Sequence, residues 1–241
     1  MRVAADSLER LVPDELRTGD VTGDETLELH LERYAFAAEQ AGPGRLLDIA
    51  CGVGYGTQLL ADRVAAASEV VGVDLSPSAI EYARERYANS RIRYVECDAM
   101  AFEVSGGFDT IVSLETVEHL PEPRRFLHKL AGMLRPAGTL IASVPTTPSV
   151  DINPHHLHDF DERSFRALVC GLPLTEVACL RQVQPVSLVS VLRRSETRLT
   201  HLRPRLLEWY ARHPGALVRR VRSTLRHGRA NHYLTLVWRA A

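Results

Sequence analysis

The chain has 241 residues, of which 45% are hydrophobic, and a formal net charge of −1. This length and composition suit one large domain with a full core, and the balanced charge gives no global argument for a nucleic-acid or a membrane partner. Four cysteines without paired spacing, together with the lack of a long apolar run, predict a cytoplasmic protein with free thiols and no membrane span.

Residues 1–44 are expected to form two helices. An amphipathic pattern lies around Ser7 to Leu16, and the run from Thr22 to Glu25 fits a capping box that opens the second helix. That helix is predicted to stop at Gly42-Pro43.

A glycine-rich turn follows the first predicted strand. The apolar run from Leu46 to Ala50 predicts a buried strand, and Gly52, Gly54 and Gly56 come next at alternate positions. Because glycine has no Cβ, the backbone can turn tightly there and a ligand can approach it closely. A strand, a glycine turn and a helix are typical of a nucleotide site, although such a turn alone also fits a chain without a ligand.

Acidic residues mark the ends of three predicted strands. Asp48 lies in the first strand, Asp74 ends the run from Val70, and Asp98 ends the run from Ile92. Asp74 lies near the spacing of about 20 residues expected for a carboxylate that grips a ribose diol. Ligands of open parallel sheets bind at the carboxyl ends of the strands, so we expect the three acids to converge at one crevice.

The remaining pattern alternates strands with helices, which predicts an α/β fold with a parallel sheet and right-handed crossovers. Ser76-Pro77 predicts a helix start, with serine as the N-cap. Arg135 to Gly138 is predicted to be a turn. Four more strands are expected, at Phe108–Leu114, Thr139–Val144, Leu174–Val183 and Asn231–Arg239.

Five stretches, LLDIACGVGYGT, VVGVDLS, CDAM, FDTIVSLETVEHL and LRPAGTLIASVP, occur in this order. Together they resemble the class I S-adenosylmethionine-dependent methyltransferases, from about Leu31 to Val144. The resemblance implies a Rossmann-like, doubly wound, seven-stranded sheet with an antiparallel last pair, and S-adenosyl-L-methionine as the cofactor. It divides a single domain into an N-terminal helical cover (1–44), a Rossmann-like core (45–185), a basic helical insertion (186–230) and the last strand (231–239).

The resemblance also implies which residues hold the cofactor. The loop from Asp48 to Gly56 would wrap its methionine part, Asp74 would hold the ribose hydroxyls, and Asp98 would accept a hydrogen bond from the adenine amino group. Further residues expected at the cofactor are Tyr34, Ala50, Cys51, Gly52, Gly54, Leu75, Ala99, Met100, Leu114 and Glu115. Tyr34 and its neighbour Arg33 are the candidates for contacting the cofactor's carboxylate.

A dinucleotide-dependent oxidoreductase is the alternative for the same core. Its fingerprint is Gly-x-Gly-x-x-Gly, whereas this chain has Gly-x-Gly-x-Gly from Gly52 to Gly56. The third strand-end acid, Asp98, also has no role in dinucleotide binding. Both differences favour the methyltransferase interpretation.

Histidines that follow the fourth and fifth strands are the catalytic candidates. His119 comes after Glu115 and Glu118, and the three would share one face if that stretch is helical. His155 and His156 lie in the next strand-end loop, over the same crevice. Since methyl transfer needs in-line approach, and a base only for a protonated acceptor, we expect these histidines to take a proton or orient the acceptor.

Two carboxylates and one or two imidazoles also have the composition of a metal site. The Glu-x-x-Glu-His arrangement, with a later histidine, is similar to the metal-dependent ubiquinone-pathway O-methyltransferases and small-RNA 2′-O-methyltransferases. Relatives for which no metal is implied carry the same motif, so a divalent metal is an alternative that is not favoured.

The segment 193–230 holds eleven arginines and only two acids, Glu196 and Glu208. Within it, Ala216 to Arg226 has the pattern of a basic amphipathic helix. Such a helix can lie on an anionic membrane surface or bind an acidic substrate. The alternative is a solvated helical cover over the substrate pocket that is salt-bridged to the acidic body, and a lid of this kind could also be held by Leu217, Val221 and Leu225.

These patterns favour an enzyme that methylates O or N of a small molecule, such as a sugar, a lipid-linked compound or a secondary metabolite. The alternatives are an RNA methyltransferase that uses the arginines for phosphate, and a non-catalytic protein that binds S-adenosylmethionine. The arginine segment has few aromatic residues for base stacking, which argues against RNA. The sequence carries no pattern that indicates an oligomeric state.

Overall fold

The computed structural model describes residues 11–15, 21–185 and 203–241. Within these ranges seven strands form one sheet, in the order β3-β2-β1-β4-β5-β7-β6. The strands are β1 (Gly44–Ile49), β2 (Ala67–Asp74), β3 (Ile92–Glu96), β4 (Phe108–Ser113), β5 (Leu134–Pro145), β6 (Leu174–Pro185) and β7 (Ala230–Ala240). The first five run parallel, and β7 is antiparallel to both β5 and β6.

Helices cover both faces of this sheet. They are α1 (Val21–Gln40), α2 (Tyr55–Arg63), α3 (Pro77–Arg86), α4 (Pro123–Gly132), α5 (Glu162–Ala167), α6 (Leu206–Arg212) and α7 (Pro214–His227). Short 3-10 turns lie at Pro13–Glu15 and Val117–His119. Among the described residues, none of the helices has the length and hydropathy that a membrane span requires.

The continuous apolar runs become strands that are buried on both faces. Leu46 packs toward α1 and α2, in a cluster with Tyr34, Leu60 and Ala61. Its neighbour Leu47 points the other way, into the larger cluster that contains the apolar faces of α4 and α5. Successive side chains of a strand point to opposite faces, so a strand between two helical layers needs apolar residues at nearly every position.

The predicted α/β class and the Rossmann-like seven-stranded sheet are confirmed. The Ser76 hydroxyl caps α3 by accepting a hydrogen bond from the Ala79 amide at 3.3 Å, with Pro77 at the first helical position. Two local predictions are wrong. Helix α1 already includes Thr22, so Thr22 is not its N-cap. The predicted turn from Arg135 to Gly138 lies inside β5, where irregular pairing with β4 and the left-handed Ala137 (φ 59°) absorb the bend.

The insertion before β7 is described from residue 203, where it forms α6 and α7. The predicted amphipathic helix lies within α7, but its apolar side chains do not hold it to the body. Leu217, Val221 and Leu225 are 43%, 49% and 82% exposed. The expected apolar contact through these three residues is therefore wrong, whereas a salt bridge from this helix to the body is present, between Arg220 and Asp151. The predicted helix around Ser7 to Leu16 and residues 186–202 of the insertion lie largely or wholly outside the described ranges.

Candidate active site

The loop between β1 and α2 has the left-handed backbone that its glycines permit. Gly52 has φ 56° and Gly54 has φ 88°, while Ala50 is left-handed at φ 63° without being glycine. A Cβ added at Gly52 would meet no atom within 4 Å, so this glycine faces open space. The loop therefore presents a bare backbone at the carboxyl end of β1, as a close-lying ligand requires.

The other two glycines are required by packing. A Cβ at Gly54 would lie 2.7 Å from Ala83 and 2.9 Å from the Tyr94 hydroxyl, and one at Gly56 would overlap the Tyr34 ring. A side chain at Gly54 would thus enter the space between α3 and β3. This differs from the expectation that all three glycines make room for a ligand, since only Gly52 faces the open side.

Asp74, at the end of β2, is joined to the glycine loop. One carboxylate oxygen accepts from the Gly52 amide at 2.9 Å, and the other accepts from the Ser76 amide at 2.9 Å. Asp74 is only 7% exposed, whereas the next residue, Leu75, is 54% exposed.

Asp48 lies beneath this loop and is fully buried. It accepts hydrogen bonds from the Thr57 hydroxyl at 2.6 Å and the Tyr34 hydroxyl at 3.2 Å. Burial raises the pKa of Asp48 to about 7, against the lowering effect of these two hydrogen bonds. Cys51 is also buried, and burial raises the pKa of its thiol. Asp48 and Tyr34 hold the loop from below.

Asp98 lies two residues beyond the end of β3, which stops at Glu96 and not at Asp98 as predicted. One of its carboxylate oxygens accepts from the amides of Met100, at 2.6 Å, and Ala101, at 3.2 Å. Asp98 itself is exposed, and Ala99 and Met100 beside it are partly buried. The three strand-end acids thus differ in environment, from fully buried Asp48 to exposed Asp98.

Glu115 follows β4, and its side chain contacts Ser143 and Arg33 instead of joining Glu118 and His119 as predicted. Its backbone is left-handed at φ 49°, and the 3-10 turn begins only at Val117, so Glu115 does not share a helical face with Glu118 and His119. Its carboxylate accepts from the Ser143 hydroxyl at 2.7 Å and lies 3.5 Å from Nη1 of Arg33. Leu114 before it is buried.

Arg33 of α1 is 1% exposed. Its Nε donates to Gln182 Oε1 at 2.5 Å, and its guanidinium lies over the Tyr233 ring at 4.3 Å. Nη1 has no hydrogen-bond acceptor among the described atoms, although the Glu115 carboxylate is nearby. A buried guanidinium with an unused donor can bind a further anionic group.

Glu118, His119 and His156 come together where β4 and β5 end. One side-chain ligand atom from each lies within 4.8 Å of the other two. The imidazole centroids of His119 and His156 are 4.6 Å apart with perpendicular rings. Glu118 is fully buried beneath them. Of the predicted catalytic residues, the structure therefore pairs His119 with His156, and Glu118, which the sequence grouped with His119, lies beside them.

Hydrogen bonds orient both rings of this pair. The His155 carbonyl can only accept, so His119 donates to it from Nδ1 at 3.1 Å, which places the lone pair of a neutral His119 on Nε2. His156 Nδ1 lies 2.7 Å from the Ser149 hydroxyl. Burial and the nearby His119 and His155 lower the pKa of His156 to about 3. The side chain of His155 is not in this group, and this residue contributes its backbone carbonyl instead.

The loop that carries His156 is attached to the basic insertion through Asp151, which is 2% exposed. The Asp151 carboxylate accepts from Arg220 Nε at 2.8 Å and from the Tyr210 hydroxyl at 2.5 Å. Arg203 adds hydrogen bonds to the carbonyls of Val150, at 2.9 Å, and Asp151, at 3.2 Å. Burial alone would raise the pKa of Asp151, but the hydrogen bonds from Arg220 and Tyr210 hold this pKa below its usual value. Sequence reasoning missed this contact because Asp151 and Arg220 share no local pattern.

Comparison with known proteins places this site in context. Residues 47–142 match the family model of a methyltransferase domain. An uncharacterized methyltransferase of Mycobacterium tuberculosis is 32% identical over 130 residues, which cover 54% of this chain and 64% of that protein. A ubiquinone biosynthesis O-methyltransferase of Xanthomonas campestris pv. campestris is 35% identical over 112 residues, 44% of this chain and 46% of that protein. These matches span less than two thirds of the curated relatives' lengths.

Solved structures share the fold over nearly the whole chain. The N-methyltransferase NodS of Bradyrhizobium japonicum WM9, in complex with S-adenosyl-L-homocysteine, superposes with a TM-score of 0.61. That superposition covers 95% of this chain and 93% of NodS, at 18% sequence identity. At this identity the likeness describes the architecture, and the chemistry has to be argued from the site itself.

Proposed function

Because the chain belongs to the class I S-adenosylmethionine-dependent methyltransferases, we propose that it transfers a methyl group from S-adenosylmethionine to O or N of a small-molecule acceptor. A sugar, a lipid-linked compound or a secondary metabolite is the proposed acceptor class. One observation carries the proposal: the open glycine loop with Asp74 lies over β1 and β2, and the histidine pair lies over β4 and β5, at the same edge of the sheet. From β1 the chain adds β2 and β3 on one side of the sheet, and β4 and β5 lie on the other side of β1. Ligands of such sheets bind at this switch between β1 and β4.

The cofactor would lie across the carboxyl ends of β1, β2 and β3. We assign the ribose hydroxyls to Asp74 and the close backbone approach to Gly52, since its Cβ direction is open. Leu75 and Met100 would flank the adenine, with Asp98 at its amino group. Arg33 Nη1, buried and without a described hydrogen-bond acceptor, fits the cofactor's carboxylate. Ala50, Ala99, Leu114 and Glu115 would complete the wall. Behind it, the wall would be supported by the buried residues Cys51, Gly54, Gly56, Tyr34 and Asp48.

The acceptor would approach from the side of β4 and β5. When bound, S-adenosylmethionine supplies an electrophilic methyl group on a sulfonium sulfur. His119 would take the proton from an acceptor hydroxyl or ammonium on Nε2, because its Nδ1 donates to the His155 carbonyl. His156, neutral because of its lowered pKa, would orient the acceptor by a hydrogen bond. In-line positioning by this loop would supply much of the rate acceleration.

A metal-assisted transfer is the second candidate, and the group Glu118, His119 and His156 favours it. One carboxylate and two imidazoles within 4.8 Å suit a divalent transition metal, and a bound ion would lower the pKa of an acceptor hydroxyl. Thermal stabilisation by Zn²⁺ or Mn²⁺ that Glu118→Gln abolishes would support this version. Equal melting temperatures with and without these ions would argue against the metal-assisted version and favour His119 as the base.

The proposed cofactor position is tested by filling the open space at Gly52. Gly52→Asn should weaken S-adenosylhomocysteine binding at least tenfold in a folded protein, since asparagine tolerates a left-handed φ better than most residues. Gly171→Asn is the matched control, because Gly171 is also left-handed (φ 89°) and faces open space. If both variants bind like wild type, the loop is a turn and not a cofactor site.

Turnover separates the enzyme from a non-catalytic S-adenosylmethionine-binding protein. The protein is incubated with S-adenosylmethionine and a panel of hydroxyl, catechol and amine acceptors, and release of S-adenosylhomocysteine is measured. Acceptor-dependent release supports the enzyme. Tight cofactor binding without release for any acceptor class favours the sensor.

A further inference from the structure

The outward face of α7 combines exposed apolar side chains with arginines that lack an acidic partner among the described residues. Leu217, Val218, Val221 and Leu225 are 43%, 48%, 49% and 82% exposed. Arg222 and Arg226 lie beside them, and no described acidic residue is within 4 Å of either. An amphipathic helix of a globular protein normally turns its apolar stripe toward the core, so this orientation is reversed.

The reversal follows from the way the helix is attached. Ala216, Arg220 and Ser223 are the least exposed positions of α7, and they share one side of the helix. Arg220 is held there by the buried Asp151 carboxylate and by the Pro148 carbonyl. At about 100° per residue, the apolar stripe lies roughly 150° around the helix from this contact. The Asp151–Arg220 pair therefore holds the apolar stripe toward the outside.

We propose that α7 docks the protein on an anionic lipid surface. The helix would lie in the plane of the interface, with its apolar stripe in the acyl boundary and its arginines at the lipid phosphates. Its 14 residues span about 21 Å, too short to cross a bilayer but long enough to lie along one. On the outward side, Arg222 and Arg226 have no described acid within 4 Å, so this surface is positively charged and complementary to anionic headgroups.

Two other occupants fit this surface less well. A second copy on a two-fold axis would bring the same patch against itself, and arginines would then face arginines. RNA would be attracted by the arginines but would leave the apolar stripe in water, and α7 offers no Phe, Tyr or Trp for base stacking. Of these three occupants, the lipid interface is the one that uses both the charge and the apolar side chains.

Co-sedimentation with vesicles tests the proposal. At physiological ionic strength, the intact protein should bind vesicles of equal parts phosphatidylglycerol and phosphatidylcholine, and bind pure phosphatidylcholine far less. Arg222→Gln/Arg226→Gln should weaken this binding about 30-fold, since each arginine near an anionic surface contributes about fivefold. Val221→Ser/Leu225→Ser should weaken it at least roughly tenfold, because it removes apolar area from the interface.

Matched controls use exposed residues elsewhere. Arg63→Gln/Arg125→Gln makes the same charge change, and Val177→Ser/Val183→Ser removes side chains that are 48% and 51% exposed on β6. Both controls should bind vesicles like the intact protein. Equal binding to anionic and neutral vesicles, or equal losses in the controls, would overturn the proposal. Binding of the intact protein to RNA but not to vesicles would also overturn the proposal. The same holds if the intact protein forms dimers and the variant Val221→Ser/Leu225→Ser is monomeric.

Discussion

Replacing Arg220 with methionine should release the basic insertion from the loop that carries Asp151 and His156. In the native protein the Asp151 side chain is 3% exposed and Arg220 is 24% exposed, and the two are joined by a bidentate ion pair. Methionine keeps much of the stem's volume but removes the charge, both hydrogen bonds to Asp151 and the hydrogen bond to the Pro148 carbonyl. The buried Asp151 carboxylate would then keep the Tyr210 hydroxyl as its remaining described side-chain donor.

Breaking a buried ion pair from one side costs about 3–5 kcal/mol, and the partial exposure of Arg220 reduces this to about 2–4 kcal/mol. We expect the loss to appear as local opening of α6 and α7, because β7 and the sheet do not depend on this contact. At about 1.4 kcal/mol per factor of ten, trypsin should cleave within α7 about 30- to 900-fold faster. Arg219, Arg222 and Arg226 remain as cleavage sites in the variant.

Arg226→Met is the matched control, since it removes an arginine of the same helix that has no described acid within 4 Å. Its cleavage rate should stay close to that of the wild type. Adding Asp151→Asn to Arg220→Met should recover part of the loss, because an amide is less costly to leave buried than a charge. Wild-type cleavage of Arg220→Met, or equal acceleration by Arg226→Met, would refute the role of this ion pair.

Two further predictions concern the site itself. Because the pKa of Asp48 is raised to about 7 in the folded protein, the folded state holds its proton between about pH 4 and 7, and the free energy of unfolding should fall as pH rises through that window. The variant Asp48→Asn should lose up to roughly 4 kcal/mol of this pH dependence, measured by urea unfolding. Identical pH profiles of the variant and the wild type would contradict the burial argument. His119→Gln should lower the acceptor-dependent release of S-adenosylhomocysteine about 10²–10⁴-fold without changing the affinity for S-adenosylhomocysteine. The control His227→Gln, at an exposed histidine, should leave the release and the affinity unchanged. Full activity of His119→Gln would show that His119 is not the base.

The strands and the glycine loop could be predicted from local sequence. Leu46 to Ile49 is apolar at almost every position because β1 is buried on both faces, and that pattern is visible without a structure. Ser76-Pro77 likewise predicted the start of α3, because a cap and an N1 proline act within one turn. The ordered stretches from β1 to β5 added the family, which periodicity alone does not indicate.

What the sequence could not predict depends on contacts between distant segments. The sequence left open whether the apolar stripe of α7 faces the body or an anionic surface, because its orientation depends on the contact between Asp151 and Arg220, which lie 69 residues apart. Gly54 was expected to face the cofactor, whereas its packing against Ala83 and Tyr94 is set by the approach of α3 and β3. Glu115 was grouped with Glu118 and His119 by helical spacing, which fails because the chain is left-handed at Glu115.

The central claim is that Asp74 and the glycine loop hold the cofactor, and titration calorimetry with S-adenosylhomocysteine tests it most directly. The wild-type protein should bind with one site per chain. Asp74→Ala should weaken binding by about 1.5–3 kcal/mol, roughly 10- to 150-fold, since hydrogen bonds to a charged carboxylate are lost. Thermal melting verifies that the variant is folded, because Asp74 also accepts from the Gly52 amide. Unchanged affinity in folded Asp74→Ala, or no binding by the wild type, would contradict the claim.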